Sequence, residues 1–182
     1  MSTGPRIAPL APPYPPEVAE DLRKLMPPGM EPIRLFTTLA HNPRVLGRVR
    51  RGGLLDPGAV ALRDRELVIL RTTALCGAEY EWGVHVAFFA GAAGLTPEQV
   101  AATVTGDAGA FAPAERALFD MCDALHRSAT VDDALWARLA EGRQPAELVE
   151  LIALAGQYRG IGCLVNALGV ELEPNAPRFP GR

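Results

Sequence analysis

The chain has 182 residues, enough for one domain, and its formal net charge of −3 with a pI near 5.6 leaves no basic surplus for nucleic acid. It is 48% hydrophobic and 21% charged, an ordinary globular balance. Prolines interrupt the N-terminus wherever a secretory leader would need its apolar core, and the longest apolar run, Val86–Leu95, is too short to span a bilayer.

Residues 1–16 hold six prolines and little periodic pattern, which predicts an extended arm on the surface or on a partner subunit. From there the chain reads as helices. Pro16 and acidic residues open Glu17–Met26, and Pro27, Pro28 and Gly29 stop it. Pro32–Ala40 follows, then Pro43–Gly52, opened by Asn42 with Pro43 as first helical residue. Leu54–Leu62 reads as a loop. Arg63–Cys76 is the first long helix, apolar around most of its circumference. Tyr80–Ala93 comes next, with Gly94 as its stop. Thr96, Pro97 and Gln99 spell the start of a helix ending by Gly106. Pro113–Ser128, Asp132–Ala140 and Ala146–Leu168 complete the set, and the Pro-rich tail from Glu173 should be extended. No segment alternates as a strand would, so the fold class is all-α. The expected organisation is an arm (1–16), one helical domain (17–172) and a tail (173–182). Cys76, Cys122 and Cys163 are widely spaced without a CxxC, which suggests reduced thiols in a cytoplasmic protein.

The stretch RDRELVILRTTALCGAEYEWGVHVAFFAGAAGLTPEQV, from Arg63 onward, resembles the carboxymuconolactone decarboxylase family of the alkylhydroperoxidase-D-like superfamily. The likeness is strongest over 63–99 and extends more loosely to the last long helix. Redox members of that superfamily carry a glutamate and then Cys-x-x-Cys-x-x-x-His. Anchored on His85, the pattern puts the glutamate at Glu66 and the two cysteines at Ala78 and Glu81. Dithiol peroxidase chemistry needs one thiolate to attack and a second to resolve, so this variant disfavours it. The resemblance implies instead the decarboxylase side of the family: proton-transfer chemistry, without a cofactor, on a small unsaturated lactone or carboxylic acid. It also implies a homo-oligomer, as dimer, trimer or hexamer, with the site near a subunit interface and the arm and tail ordered by a neighbour.

Glu81 and His85 are four apart and share a helix face. Glu66 joins them if its helix packs antiparallel on theirs, and the three are the candidate catalytic residues. A carboxylate beside an imidazole in apolar surroundings is how a general acid or base is tuned. Tyr80 and Trp82 are candidate pocket walls, Tyr158 a candidate cavity residue, and Arg63, Arg65 or Arg71 candidate holders of a substrate carboxylate, Arg63 and Arg71 first among them. The same residues admit plainer readings. Glu66 can serve its helix dipole, and Glu81–His85 can be a surface pair. A metal enzyme using Glu66, Glu81 and His85 is an alternative, although HExxH is absent. So is a non-catalytic oligomeric protein whose site has decayed.

Overall fold

In the computed structural model, which describes residues 4–181, there are nine α-helices and no strand among those residues. They are α1 (Pro16–Leu25), α2 (Arg34–Leu39), α3 (Pro43–Gly52), α4 (Leu62–Leu75), α5 (Glu79–His85), α6 (Pro97–Thr105), α7 (Pro113–Ser128), α8 (Asp133–Ala140) and α9 (Pro145–Leu168). Residues 1–3 of the expected arm and Arg182 of the expected tail lie outside the described span.

Local chemistry fixes most boundaries. Asn42 accepts the Val45 N–H at the start of α3, Thr96 accepts the Gln99 N–H at the start of α6, and Asp132 accepts the Leu135 N–H at the start of α8. Proline is the first residue of α3, α6, α7 and α9, where a missing N–H costs nothing. Glycines in the left-handed conformation close α6 at Gly106 and α9 at Gly169.

Helix α4 is the centre of the molecule. It packs against α5, α6, α7 and α9, and Leu67, Val68, Ile69 and Leu70 are all at most 1% exposed, so both sides of the helix are core. Helices α1–α3 form a smaller layer around Val18, Leu22, Leu35 and Leu46. Helix α9 is, among the described residues, long and apolar enough to cross a bilayer by length and composition, but its buried face packs against α4 and α5.

One expectation is corrected here. The predicted helix Tyr80–Ala93 is not one α-helix. Regular α structure ends at His85, and Val86–Ala90 form a π-helical turn; further on, Gly94 takes a positive φ and the Leu95 N–H reaches back to the Ala90 carbonyl, closing the helical stretch. Such π-helical insertions widen a helix locally and recur at functional sites. A second observation concerns the choice left open for the arm and tail: both make contacts with the chain's own surface. Arg6 donates its N–H to the Leu168 carbonyl and Leu10 donates to that of Thr37, while His41 Nε2 lies 2.9 Å from the Ala8 carbonyl. In the tail, Phe179 is buried with its ring edge-on to Trp82, and its N–H donates to Glu79.

Candidate active site

The turn through Gly77, which has a positive φ, folds α5 back on α4. This places Glu66, from the first half of α4, beside His85 at the end of α5. His85 Nδ1 is 2.8 Å from Glu66 Oε2, and both side chains are buried. Glu66 Oε1 accepts from the Arg65 guanidinium at 2.9 Å. A carboxylate only accepts, so Nδ1 must carry a proton in this pair. The nitrogen free to exchange a proton is therefore Nε2. Glu81 Oε1 stands 3.6 Å from Nε2, too long for a hydrogen bond but close enough for strong charge attraction in a buried setting.

Electrostatics follow from this arrangement. Burial alone would lower the His85 pKa; the hydrogen bond to Glu66 and the two carboxylate charges more than reverse that and raise it to about 9. His85 is then an imidazolium at neutral pH, between Glu66 and Glu81, with Arg65 balancing the second carboxylate. Formally, Arg65 and His85 carry two positive charges and Glu66 and Glu81 two negative ones, so the buried cluster is neutral as a whole.

The cluster forms the floor of a cavity of about 760 Å³. Glu81 and His85 face it together with Tyr158 of α9, whose ring stands perpendicular to the imidazole with centroids 4.9 Å apart. Phe89, from the π-helical turn, sits 5.1 Å from the imidazole and stacks under Arg65 at 5.4 Å. The walls are apolar and include Leu35 and Phe36 from α2. Basic side chains from α1 and α3, Lys24, Arg50 and Arg51, stand along the cavity as well. Lys24 is paired with Glu20 and Arg50 with Asp21.

Of the residues expected at the site, the structure therefore brings together Glu66, Glu81, His85 and Tyr158. It places four others elsewhere. Tyr80 does not wall the cavity: its hydroxyl accepts the Leu35 N–H and donates to Glu173, a structural clasp between α5, α2 and the tail. Burial pushes its phenol pKa far up, so it stays a neutral donor. Trp82 points away from the cavity, donating from Nε1 to Thr103 and packing on Phe179. Arg63 is held by Glu115, Gln99 and the Gly94 carbonyl. Arg71 makes two bonds to Asp123, a third to the Thr103 carbonyl, and lies over Phe119. Both arginines are tied to α6 and α7, and neither lines the cavity. The arginine that does reach the cluster is Arg65, next to Glu66 in sequence. The signal for it was the Arg65–Glu66 adjacency. The residues of α1–α3 carried no signal, because only the tertiary fold brings them over α5.

No cysteine lines the cavity. Cys122 is buried, with its thiol pushed up to about 12 by burial, and Cys76 is half-buried and also raised, by burial first and by Cys163 second. Among the described residues no group of three or more His, Cys, Asp and Glu has the geometry to hold a metal. Glu66 in particular has one oxygen on Arg65 and the other on His85.

Residues 43–124, spanning α3 to most of α7, match the carboxymuconolactone decarboxylase family. Over those residues the chain matches that family as a variant without the paired cysteines. No curated protein matches it. Among solved structures, the fold is similar to a peroxidase-related protein from Silicibacter sp. TM1040, with TM-score 0.80 and 14% identity over 100% of this chain and 98% of that one. A second peroxidase-related protein, with an alkylhydroperoxidase AhpD core, from Ralstonia eutropha JMP134, gives TM-score 0.78 and 17% identity over 92% and 93%. The debrominase Bmp8, as a cysteine-to-alanine variant in complex with 2,3,4-tribromopyrrole, gives TM-score 0.77 and 16% identity over 96% and 95%. At these identities the likeness establishes an alkylhydroperoxidase-D-like helical fold.

Proposed function

We propose that this protein is an enzyme of proton-transfer chemistry, decarboxylating a small unsaturated lactone or carboxylic acid without a cofactor. The observation that carries the reading is the position of His85 between two buried carboxylates, Glu66 and Glu81, on the floor of the cavity. When a carboxylate conjugated to an acceptor leaves as CO₂, its electron pair moves into the acceptor, and a proton must arrive at the far end. His85 Nε2 supplies that proton to carbon or oxygen. Glu66 keeps Nδ1 protonated and the ring fixed. Arg65 in turn keeps Glu66 in place. Water at the cavity mouth then returns a proton to Nε2, which closes the cycle. Burial of Glu66, Glu81 and His85 strengthens each of these charge interactions.

Thiol chemistry is the reading the neighbours' names suggest, and it is not supported by the cavity. The two cysteine positions of the dithiol pattern are Ala78 and Glu81, and the thiols that do exist are raised by burial or stand outside the site. We further propose a cytoplasmic homo-oligomer, motivated by large apolar side chains left at the surface, including Trp136 at 43% and Val149 at 69% exposed. A monomer mass by light scattering at micromolar concentration would contradict the assembly.

The test of function is turnover of conjugated lactone acids, followed by CO₂ release and loss of ultraviolet absorbance. Wild-type protein should turn over at least one. His85→Gln should lower its rate about 10²–10⁴-fold, the usual cost of removing a positioned proton-transfer group, with the circular dichroism spectrum unchanged. Turnover that survives this change would refute the role of His85.

A further inference from the structure

The floor of the cavity holds two polar groups that the protein leaves without partners. Glu81 Oε2 is fully buried and accepts no hydrogen bond, although the residue is only 5% exposed and its carboxylate lies against the cavity. The Tyr158 hydroxyl also bonds to no side chain or carbonyl of the described residues, in a residue 2% exposed. Its phenol pKa is raised well above the ordinary value, by burial first and then by the charges of Glu81 and Glu66, so it is a neutral donor. The contrast with Tyr80 is sharp: on the same α5–α9 core, that hydroxyl makes two bonds. Leaving a buried acceptor unmet is costly, and native folds seldom tolerate it without use.

Both groups flank His85. Glu81 approaches Nε2, and the Tyr158 ring stands against the imidazole face to edge. A ligand group sitting at Nε2 therefore meets a carboxylate that can only accept and a phenol that can donate. A second carboxylate there would face Glu81 and Glu66 with like charge. A neutral hydroxyl satisfies both partners at once, donating to Glu81 and accepting from Tyr158. The surroundings are apolar and aromatic, with Phe89 and Leu35 among the walls, and the volume of about 760 Å³ is that of a small-molecule site.

We infer that the substrate class of this site is a hydroxyl-bearing unsaturated ring, a phenol or a cyclic enol, seated hydroxyl-first on Glu81 and Tyr158. This rests on the proposed function for the location of the site, but it is a statement about recognition and can be tested apart from turnover. The probes are two related ring acids, 4-hydroxybenzoate and 4-methoxybenzoate, which differ by one methyl group on the inner oxygen that removes its donor, and Glu81→Leu separates the loss of the donor from the added bulk. Calorimetric titration of the intact protein at neutral pH should give at least about ten-fold tighter binding of the hydroxyl form, as expected when a methyl group leaves a buried acceptor unmet. Glu81→Leu should reduce that preference to within about two-fold. Tyr158→Phe should weaken the hydroxyl probe several-fold while leaving the melting temperature in place. Because the wild-type comparison needs no variant, misfolding of Glu81→Leu would not shield the inference. Equal or tighter binding of the methoxy form would overturn it, and so would the absence of binding by both at millimolar concentration. A clear hydroxyl preference in a protein that turns over no lactone acid would leave the recognition standing and remove the decarboxylase reading. Turnover with no hydroxyl preference would do the reverse.

Discussion

The two sides of α5 use similar residues for opposite ends. On one side Glu79, Tyr80 and Trp82 each have their polar atom matched, to Phe179, to Glu173 and Leu35, and to Thr103. On the other side Glu81 and His85 are as deeply buried, yet Glu81 keeps an oxygen unmet and His85 keeps Nε2 facing the cavity. The matched side is the seat of the C-terminal tail. Pro177 crosses so closely that a Cβ on Gly83 would lie 2.4 Å from its carbonyl oxygen. The arginines of α4 divide the same way. Arg63 and Arg71 are satisfied by α6 and α7, while Arg65 serves the cluster. Across α5, what separates the two sides is whether the partner set is complete, and residue type is a poor guide to it.

Variants on the matched side should therefore cost stability and spare the site. The largest effect is expected for Arg71→Ala, which removes three hydrogen bonds and leaves Asp123 without its cation. A loss of about 3 kcal/mol in denaturant unfolding is expected, near the low end for a broken buried pair because Asp123 keeps access to water. Gly83→Ala should cost about 1–3 kcal/mol through overpacking and release the tail, read as faster proteolysis near Pro177. The sharpest comparison is between two tyrosines. Tyr80→Phe should lower stability by about 1–2 kcal/mol, since it strands the buried Leu35 N–H, and Tyr158→Phe should change stability by less than about 0.5 kcal/mol. Equal effects for the two would erase the distinction between the faces. Among these, a variant of the matched side that kept full stability but lost ligand binding would do the same.

Much of this was legible in the sequence. The helices opened by Asn42–Pro43 and Thr96–Pro97 start where their capping residues predict, and α7 starts at Pro113 as expected, because those signals are local. The pairing of Glu66 with Glu81 and His85 was readable from the family spacing together with the four-residue step. The π-helical turn after His85 was not: an apolar run of small and aromatic residues has the same period whether it holds four- or five-residue hydrogen bonds. Tyr80 and Trp82 were misplaced because an aromatic residue beside a histidine reads as a pocket wall, and their true partners, Glu173 and Thr103, are distant in sequence. The same distance hid the contribution of α1–α3 to the cavity.

The account turns on the charge of His85, and a nitrogen-15 NMR titration of the imidazole measures it directly. His41 and His126 are the only other histidines, so His85→Gln assigns the signal. The prediction is an imidazolium that persists past neutrality and titrates at about 9, and that falls in Glu66→Gln. The sign of the stability effect follows. A pKa raised from its ordinary value of 6.5 contributes stability that is whole below pH 6.5 and is lost as pH rises through about 9. Wild-type melting temperature should decline across that window more steeply than that of His85→Gln. An imidazole that titrates at or below 6.5 in the native protein, unmoved by Glu66→Gln, would contradict the buried ion cluster and the proton-transfer function built on it.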